Sequence, residues 1–202
     1  MFQRLLVIVL ILLFITLGYA GTKLVNMWVD PAYKGKMKNV LIVGSAQPGM
    51  RQIWENIFVY QLRQKGIKGT ASFELFADSQ QKMLEDTIRE KVKEGGYDGV
   101  ILTTGSKEAG KKYEASYLAA APTYAYTSWY SGYAIAYDFW RQPAYEKDIT
   151  NVRMETTVWD ATPPGKMIWS GTSQAVNVKS AVKVSEDITG SIISELFSKK
   201  IL

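Results

Sequence analysis

The stretch from residue 39 to residue 104 alternates short apolar runs with amphipathic helical segments. Asn39 to Gly44, NVLIVG, is a continuous apolar run ending in glycine, which is typical of a buried strand. From Met50 to Lys65, apolar residues recur at three- and four-residue steps and predict one apolar helix face. Gly69 to Phe76 and Val100 to Thr104 are predicted to form the next two strands.

The same stretch carries the stop and start signals of two helices. Gly66 stands where a glycine commonly ends a helix. Asp78 and Gln81 have the spacing of a capping box, and Gly95 would end the helix that they begin. Two strand–helix–strand units of this size predict three parallel strands in one sheet.

The second half of the chain has a different pattern. Val152 to Trp159 and Lys166 to Ala175 alternate as strands do, and the turn-rich segment 160–165 between them predicts a β-hairpin. Val178 to Phe197 has the apolar stripe of a final helix. The predicted fold is therefore α/β (α+β): a single mixed sheet of about five strands in the order βαβαβ–insert–ββα, with helices packed on it.

Two tryptophans give this sheet prediction a specific test. Trp159 and Trp169 lie on the two strands of the proposed hairpin. We expect them on neighbouring strands of one sheet. Aromatic residues that lie directly opposite or diagonal in a sheet add up to ~1 kcal/mol beyond area burial.

Residues 1–21 have the pattern of a signal peptide or an N-terminal membrane anchor. Arg4 precedes an apolar run from Leu5 to Leu17, and small residues before Gly21 suit cleavage there. Without cleavage, residues 5–20 would hold the chain in the inner membrane as a hydrophobic helix. No cysteine follows the run, which excludes lipid attachment by that route. Both alternatives predict export to the periplasm.

After this segment, residues 22–38 are a polar lead-in, and residues 39–202 are predicted to form the periplasmic domain. The 202-residue chain contains no cysteine and no histidine, which excludes disulfides, thiol catalysis, the usual zinc sites and histidine triads. Its net charge of +5 is spread over scattered lysines, unlike the basic stripe of a nucleic-acid-binding protein. We therefore expect no metal, no cofactor, no nucleic acid and no enzymatic activity.

The segment from Gly44 to Arg51, GSAQPGMR, has the glycine spacing of a phosphate-binding loop. Met50 and Arg51 stand where that loop needs lysine and then serine or threonine, so nucleotide binding is not expected. The segment is predicted to be a tight turn, with a weak anion site on Arg51 and backbone amides as the milder alternative. An alternative function is small-ligand binding near Gly44 and Thr104, at the carboxyl ends of the parallel strands.

A hydrolase would need two carboxylates facing each other across a cleft. The spacing of the acidic residues brings no such pair together, and Glu55 is expected to be solvated or linked to a helix cap. The acidic residues available for such a pair are Glu55, Glu74, Asp98, Asp138, Glu155 and Asp160.

Residues 106–148 form an insert that is too long for a structureless loop within a compact domain. Its polar start, SKEAGKKYE, can prolong the third strand outward. Eight of the 17 residues in YAYTSWYSGYAIAYDFW are aromatic. The candidate interaction residues are Tyr124, Tyr126, Trp129, Tyr130, Tyr133, Tyr137, Phe139 and Trp140.

Three roles remain open for this tract: a local mini-core, a protein interface, or a seat at the membrane surface. An interface would bind an envelope protein or a second copy of the chain through residues 115–145.

Several motifs together resemble a family of small bacterial cell-envelope proteins of unknown function, many of them lipoproteins. The most recognisable are Trp28-Val-Asp30-Pro31 and the hairpin segment that includes Trp159-Asp160 and Lys166 to Ser170. The resemblance covers about residues 27 to 200. It implies a periplasm-facing α/β domain tied to a membrane, with no assigned catalysis and no catalytic residues to transfer.

Overall fold

The computed structural model describes residues 22–45, 48–76, 85–108, 151–163, 165–176, 178 and 180–202. Six strands are present: β1 (Thr22–Val29), β2 (Asn39–Ser45), β3 (Lys68–Ala71), β4 (Gly99–Glu108), β5 (Asn151–Asp160) and β6 (Lys166–Val176). The helices are α1 (Pro48–Gln64), α2 (Ser72–Leu75), α3 (Glu85–Glu94) and α4 (Ala181–Ser198).

The six strands form one mixed sheet in the order β1-β6-β5-β4-β2-β3. β2 is parallel to both β3 and β4, and every other pairing is antiparallel. This confirms the two strand–helix–strand units, the hairpin and the final helix. Gly66 has φ of 79° directly after α1, the left-handed conformation that glycine adopts most readily.

The sheet is covered by helices on both faces. On one face, which we call the α1/α4 face, α1 and α4 bury strand residues such as Ile42, Ile101 and Trp169. On the opposite face, which we call the α3 face, Val92 of α3 and Phe76 pack in a second core. Burial is complete for most of these side chains, so each apolar residue contributes ~1.5–3 kcal/mol relative to exposure.

One strand more is present than the five predicted. This strand, β1, lies within residues 22–38, which were predicted to be a polar lead-in. Leu24 and Val29 pack on the α1/α4 core, while β1 pairs with β6 from Thr22 to Val29. The pairing register shifts between Val25 and Trp28, and Asn26 between them has φ of 52°. This bulge breaks the alternation of apolar and polar residues, which is why the pattern did not predict a strand.

The strand predicted from Gly69 to Phe76 is correct only in its first part. β3 ends at Ala71, and Ser72–Leu75 form the helical turn α2. The Phe73 amide donates to Oε2 of Glu55, and the Ser72 hydroxyl donates to Oε1 of the same carboxylate. A tertiary contact therefore diverts the chain from the extended path that its alternation predicts.

The hairpin tryptophans lie on neighbouring strands, as predicted, but they do not face each other. Trp169 is opposite Val158, one residue before Trp159. Because successive strand residues point to opposite faces, Trp169 enters the α1/α4 core and Trp159 the α3 core. The two side chains therefore do not form the aromatic pair that directly opposite or diagonal tryptophans would make.

Several predictions concern residues outside the described ranges: the signal or anchor segment 1–21, the helix cap at Asp78 and Gln81, and the aromatic tract. None of the helices within the described ranges is both long and apolar enough to span a membrane.

Candidate functional site

The carboxyl ends of β2 and β4 lie side by side, as a parallel sheet requires. Gly44 pairs with Thr103, and Ser45 pairs with Thr104. This is the edge where open α/β sheets commonly bind ligands, and the sequence predicts the alternative small-ligand site here. A ligand here would need hydrogen-bond donors that are not already bound within the fold.

The Glu55 carboxylate occupies the turn after β2. Its Oε1 accepts hydrogen bonds from the Gly44 amide at 2.8 Å, from Arg51 Nε at 3.0 Å and from the Ser72 hydroxyl at 2.7 Å. Its Oε2 accepts one from the Phe73 amide at 3.0 Å. Glu55 is fully buried, so the solvated alternative was wrong, whereas its bond to the Phe73 amide, in the first turn of α2, is of the cap-linked kind.

Arg51 is buried with Glu55 one helical turn away. Its Nε is 3.0 Å from Glu55 Oε1, and its Nη2 donates to the Ser72 hydroxyl at 2.7 Å. The guanidinium and the Gly44 amide, which the weak anion site would have needed, are thus bound to the chain's own carboxylate. Glu55 takes the place that an external anion would have at this turn.

Burial of Glu55 raises the pKa of its carboxyl above the ordinary value of 4.5. The charge on Arg51 and the hydrogen bonds from Gly44, Ser72 and Phe73 oppose that rise. Since the carboxylate is fully buried and already accepts four hydrogen bonds, it has no open face for a substrate. The cluster of Arg51, Glu55 and Ser72 is an internal tie between β2, α1 and α2.

No group of three or more acidic side chains within the described residues is placed to hold a metal ion.

In sequence the insert lies between β4 and β5, which pair with each other along their full lengths. β2 pairs with β4 as far as Thr104. The β4–β5 ladder continues with the pairs from Gly105–Met154 to Glu108–Asn151. These four further pairs carry the strands about 13 Å beyond the end of β2, at ~3.3 Å per residue. Residues 106–108 belong to β4, which confirms the predicted prolongation of the third strand for the first three residues of SKEAGKKYE.

Glu108 and Asn151 are partners at the end of this ladder, so the described residues on either side of residues 109–150 lie next to each other. The eight candidate interaction residues, from Tyr124 to Trp140, lie within this segment and outside the described residues. Their role stays a prediction.

The structure brings together the two motifs that carry the family resemblance. Lys166 Nζ is 2.5 Å from Asp30 Oδ2, and the Asp30 amide donates to the Ile168 carbonyl at 2.8 Å. Lys166, and then the Ala32 amide, hold the pKa of the Asp30 carboxyl below 3.8. The Trp-Val-Asp-Pro motif is thus fastened to the start of β6.

An open groove of about 550 Å³ lies between β1 and α4. Leu24 and Met27 of β1 form one side. The other side is made of small and acidic residues of α4: Glu186, Asp187, Gly190, Ser191, Ser194, Glu195 and Ser198. The groove could not be predicted from the sequence, because the pattern of residues 22–29 does not predict β1.

The buried cluster was also missed, although a signal for it was present. Arg51 and Glu55 are four residues apart, the spacing at which helix side chains meet. Their burial depends on Ser72, which lies 17 residues beyond Glu55 and is brought close only by the fold.

No protein-family model matches the chain, and no curated protein matches it significantly. Solved structures similar to it include the PelC dodecamer from Paraburkholderia phytofirmans, with a TM-score of 0.48 and 12% identity. A point variant of that dodecamer in a second crystal form gives a TM-score of 0.47 at the same identity. Both matches cover 87% of this chain and 97% of the other. So distant a likeness assigns neither function nor assembly to this chain.

Proposed function

We propose that this protein is an exported, non-enzymatic component of a bacterial cell-envelope assembly. Its aromatic insert binds either another envelope protein or a second copy of the chain. The segment 115–145 supplies the contact, and residues 5–20 direct export and hold the chain at the inner membrane if they are not cleaved.

The observation that carries this proposal is the attachment of the insert. The described residues that flank it, Glu108 and Asn151, are paired at the tip of a ladder that extends four residue pairs past β2. A segment so attached starts from a rigid base at the margin of the sheet, the arrangement in which scaffolds commonly present binding loops. Tyrosine, tryptophan, serine and glycine, which dominate the tract, are also the residues that binding loops favour.

The absence of catalysis is proposed from the chemistry of the side chains. The chain has no histidine and no cysteine, so the commonest acid–base and nucleophilic groups are missing. The buried carboxylate of Glu55 is bound by four donors within the fold. Because this carboxylate is already bound, the carboxyl edge of β2 and β4 favours a scaffold over a reaction centre.

Membership of the envelope family is proposed from the motifs. The Trp28–Pro31 segment and the start of β6 are far apart in sequence, yet they are joined by the Asp30–Lys166 ion pair and by strand pairing. Residues that hold a fold together in this way are those that a shared architecture would preserve.

The test separates an interface from a mini-core. The aromatic residues Trp129, Tyr130 and Tyr133 are replaced together by alanine in the full chain, purified in detergent. The unfolding midpoint and the mass of the assembly, with or without a co-purified partner, are then measured. We expect association to weaken by about 2 kcal/mol or more, as for hot-spot aromatics, with the midpoint unchanged.

A matched control replaces Met50, Tyr60 and Val182, which are large, exposed and outside the insert. This control is expected to change neither quantity. A loss of ~3 kcal/mol or more of stability in the insert variant would show a mini-core and overturn the proposal.

A further inference from the structure

β1 is an outer strand of the sheet and pairs only with β6 among the described strands. The outer edge of such a strand offers unpaired backbone amides and carbonyls to any extended chain. Charged residues and bulges commonly protect an edge of this kind. β1 has a bulge at Asn26 and an exposed Lys23, but the residues that follow are apolar.

Met27 and Trp28 are 48% and 45% exposed at this edge. They lie on opposite faces of the sheet. Met27 lies beside Gly171 and lines the groove against α4. Trp28 pairs with Ser170, and like Val25, which pairs with Thr172, it belongs to the α3 face. A strand added beside β1 would therefore have an apolar side chain of β1 next to it on each face of the sheet: Met27 on the α1/α4 face and Trp28 on the α3 face.

The groove on the α1/α4 face has room for such a strand. The helix side presents only glycine and serine between its charged residues, so no bulky side chain of α4 fills the space above Leu24 and Met27. Its volume of about 550 Å³ suits several side chains of an extended segment.

The acidic residues that line the groove favour a positively charged partner. The chain as a whole carries +5, yet the charged residues that line the groove are all acidic: Glu186, Asp187 and Glu195. Lys183 pairs with Asp187 at 2.7 Å and with Glu186 at 4.0 Å, and Lys199 pairs with Glu195 at 3.5 Å. These lysines are 68% and 45% exposed, and exposed pairs are weak enough to exchange for a partner's cations.

We propose that an extended, basic segment of a partner protein docks along β1 as a seventh strand. Its lysine or arginine side chains point to the α1/α4 face, where their stems lie on Leu24 and Met27 and their charges reach the three carboxylates. Its alternate, apolar residues point to the α3 face beside Val25 and Trp28. The residues of this surface all lie outside the insert in sequence, and the proposal does not depend on the function proposed for the insert.

The probe is a blocked, fluorescent eight-residue peptide of alternating valine and lysine, titrated with the full chain and followed by anisotropy. We expect saturable binding that weakens with salt. Glutamate in place of lysine, or N-methylation of alternate backbone amides, is expected to abolish binding, because the first change removes charge complementarity and the second blocks strand pairing.

The protein variant for this test combines Glu186→Gln, Asp187→Asn and Glu195→Gln. Three exposed charge pairs imply a loss of about tenfold or more in affinity. The matched control combines Glu74→Gln, Glu90→Gln and Glu94→Gln, three exposed carboxylates away from the groove, and is expected to bind as the natural chain does. Unchanged unfolding midpoints ensure that both variants are folded.

Three outcomes would overturn the proposal. The first is no binding of the lysine peptide at millimolar concentration. The second is equal binding by the N-methylated peptide or by the groove variant. The third is a dimer of the chain alone that the groove variant dissociates, since the occupant would then be a second copy.

Discussion

Removal of Arg51 should destabilise the protein in a pH-dependent way. In Arg51→Met the apolar stem is kept, but the Glu55 carboxylate loses its cation at 3.0 Å while it remains buried. Breaking a buried ion pair by removing one partner costs about 3–5 kcal/mol, and we expect a loss of that size at pH 7.

The pH dependence follows from the pKa of Glu55. Burial already raises this pKa above 4.5, and the charge on Arg51 opposes the rise, so the variant should have a still higher folded-state pKa. A group whose pKa is raised on folding stabilises the protein below its unfolded pKa, and that contribution is lost as pH rises through the folded pKa. The deficit of the variant should therefore shrink towards pH 4.5 and grow above it.

The assay is urea unfolding from pH 4.5 to pH 8 of the natural chain, Arg51→Met and the double variant Arg51→Met/Glu55→Gln. The double variant should be more stable than Arg51→Met at pH 7, because it leaves no unpaired charge. Arg63→Met is the control, since Arg63 lies on the same helix but is exposed, and it should change stability by less than ~0.5 kcal/mol. A loss below ~1 kcal/mol, or one that does not vary with pH, would refute the reasoning.

Two further predictions concern single contacts. A Cβ at Gly44 would lie 2.9 Å from Trp54 Cδ1, so Gly44→Ala should cost ~1–3 kcal/mol in thermal or urea unfolding, whereas Gly49→Ala, which meets nothing within 4 Å, should be neutral or slightly stabilising. Equal effects at the two glycines would contradict the packing account. Asp30 has a lowered pKa, so its contribution is present above pH 3.8 and is lost as pH falls through its folded pKa; Asp30→Asn should lack this acid-dependent part of the unfolding curve. If both proteins lose stability equally below about pH 4, the Asp30–Lys166 pair does not stabilise the fold.

The parallel half of the sheet could be predicted because its signals are local. The run from Val40 to Val43 is buried on both faces, and the apolar stripe of α1 recurs at helical spacing. These patterns follow from burial between two layers of helices and need no knowledge of distant residues.

β1 could not be predicted because it is half-buried and interrupted. Only Leu24 and Val29 pack on the core, and Asn26 adopts a left-handed conformation between them. Its strand character comes from pairing with β6, whose partner residues lie 140 or more positions later in the chain. The alternation of apolar and polar residues along a segment does not indicate pairing with a strand so far away in sequence.

The burial of Glu55 could not be predicted either, because it also depends on residues that are distant in the sequence. Exposure is the ordinary expectation for a glutamate on a helix. Only the fold brings Ser72 and the Phe73 amide to the carboxylate, and those contacts also end β3 after Ala71. The contact between Glu55 and residues 72–73 thus explains why Glu55 is buried and not exposed, and why β3 is shorter than predicted.

The most direct test of the proposed function is site-specific photo-crosslinking in living cells. A photoreactive phenylalanine analogue is placed at Tyr130 in the insert or at Tyr60, which is 64% exposed on α1. We expect discrete crosslinked species from position 130, to an envelope protein or a second copy of the chain, and none from position 60. Crosslinks from position 130 to membrane lipid alone, or only within the same chain, would contradict it.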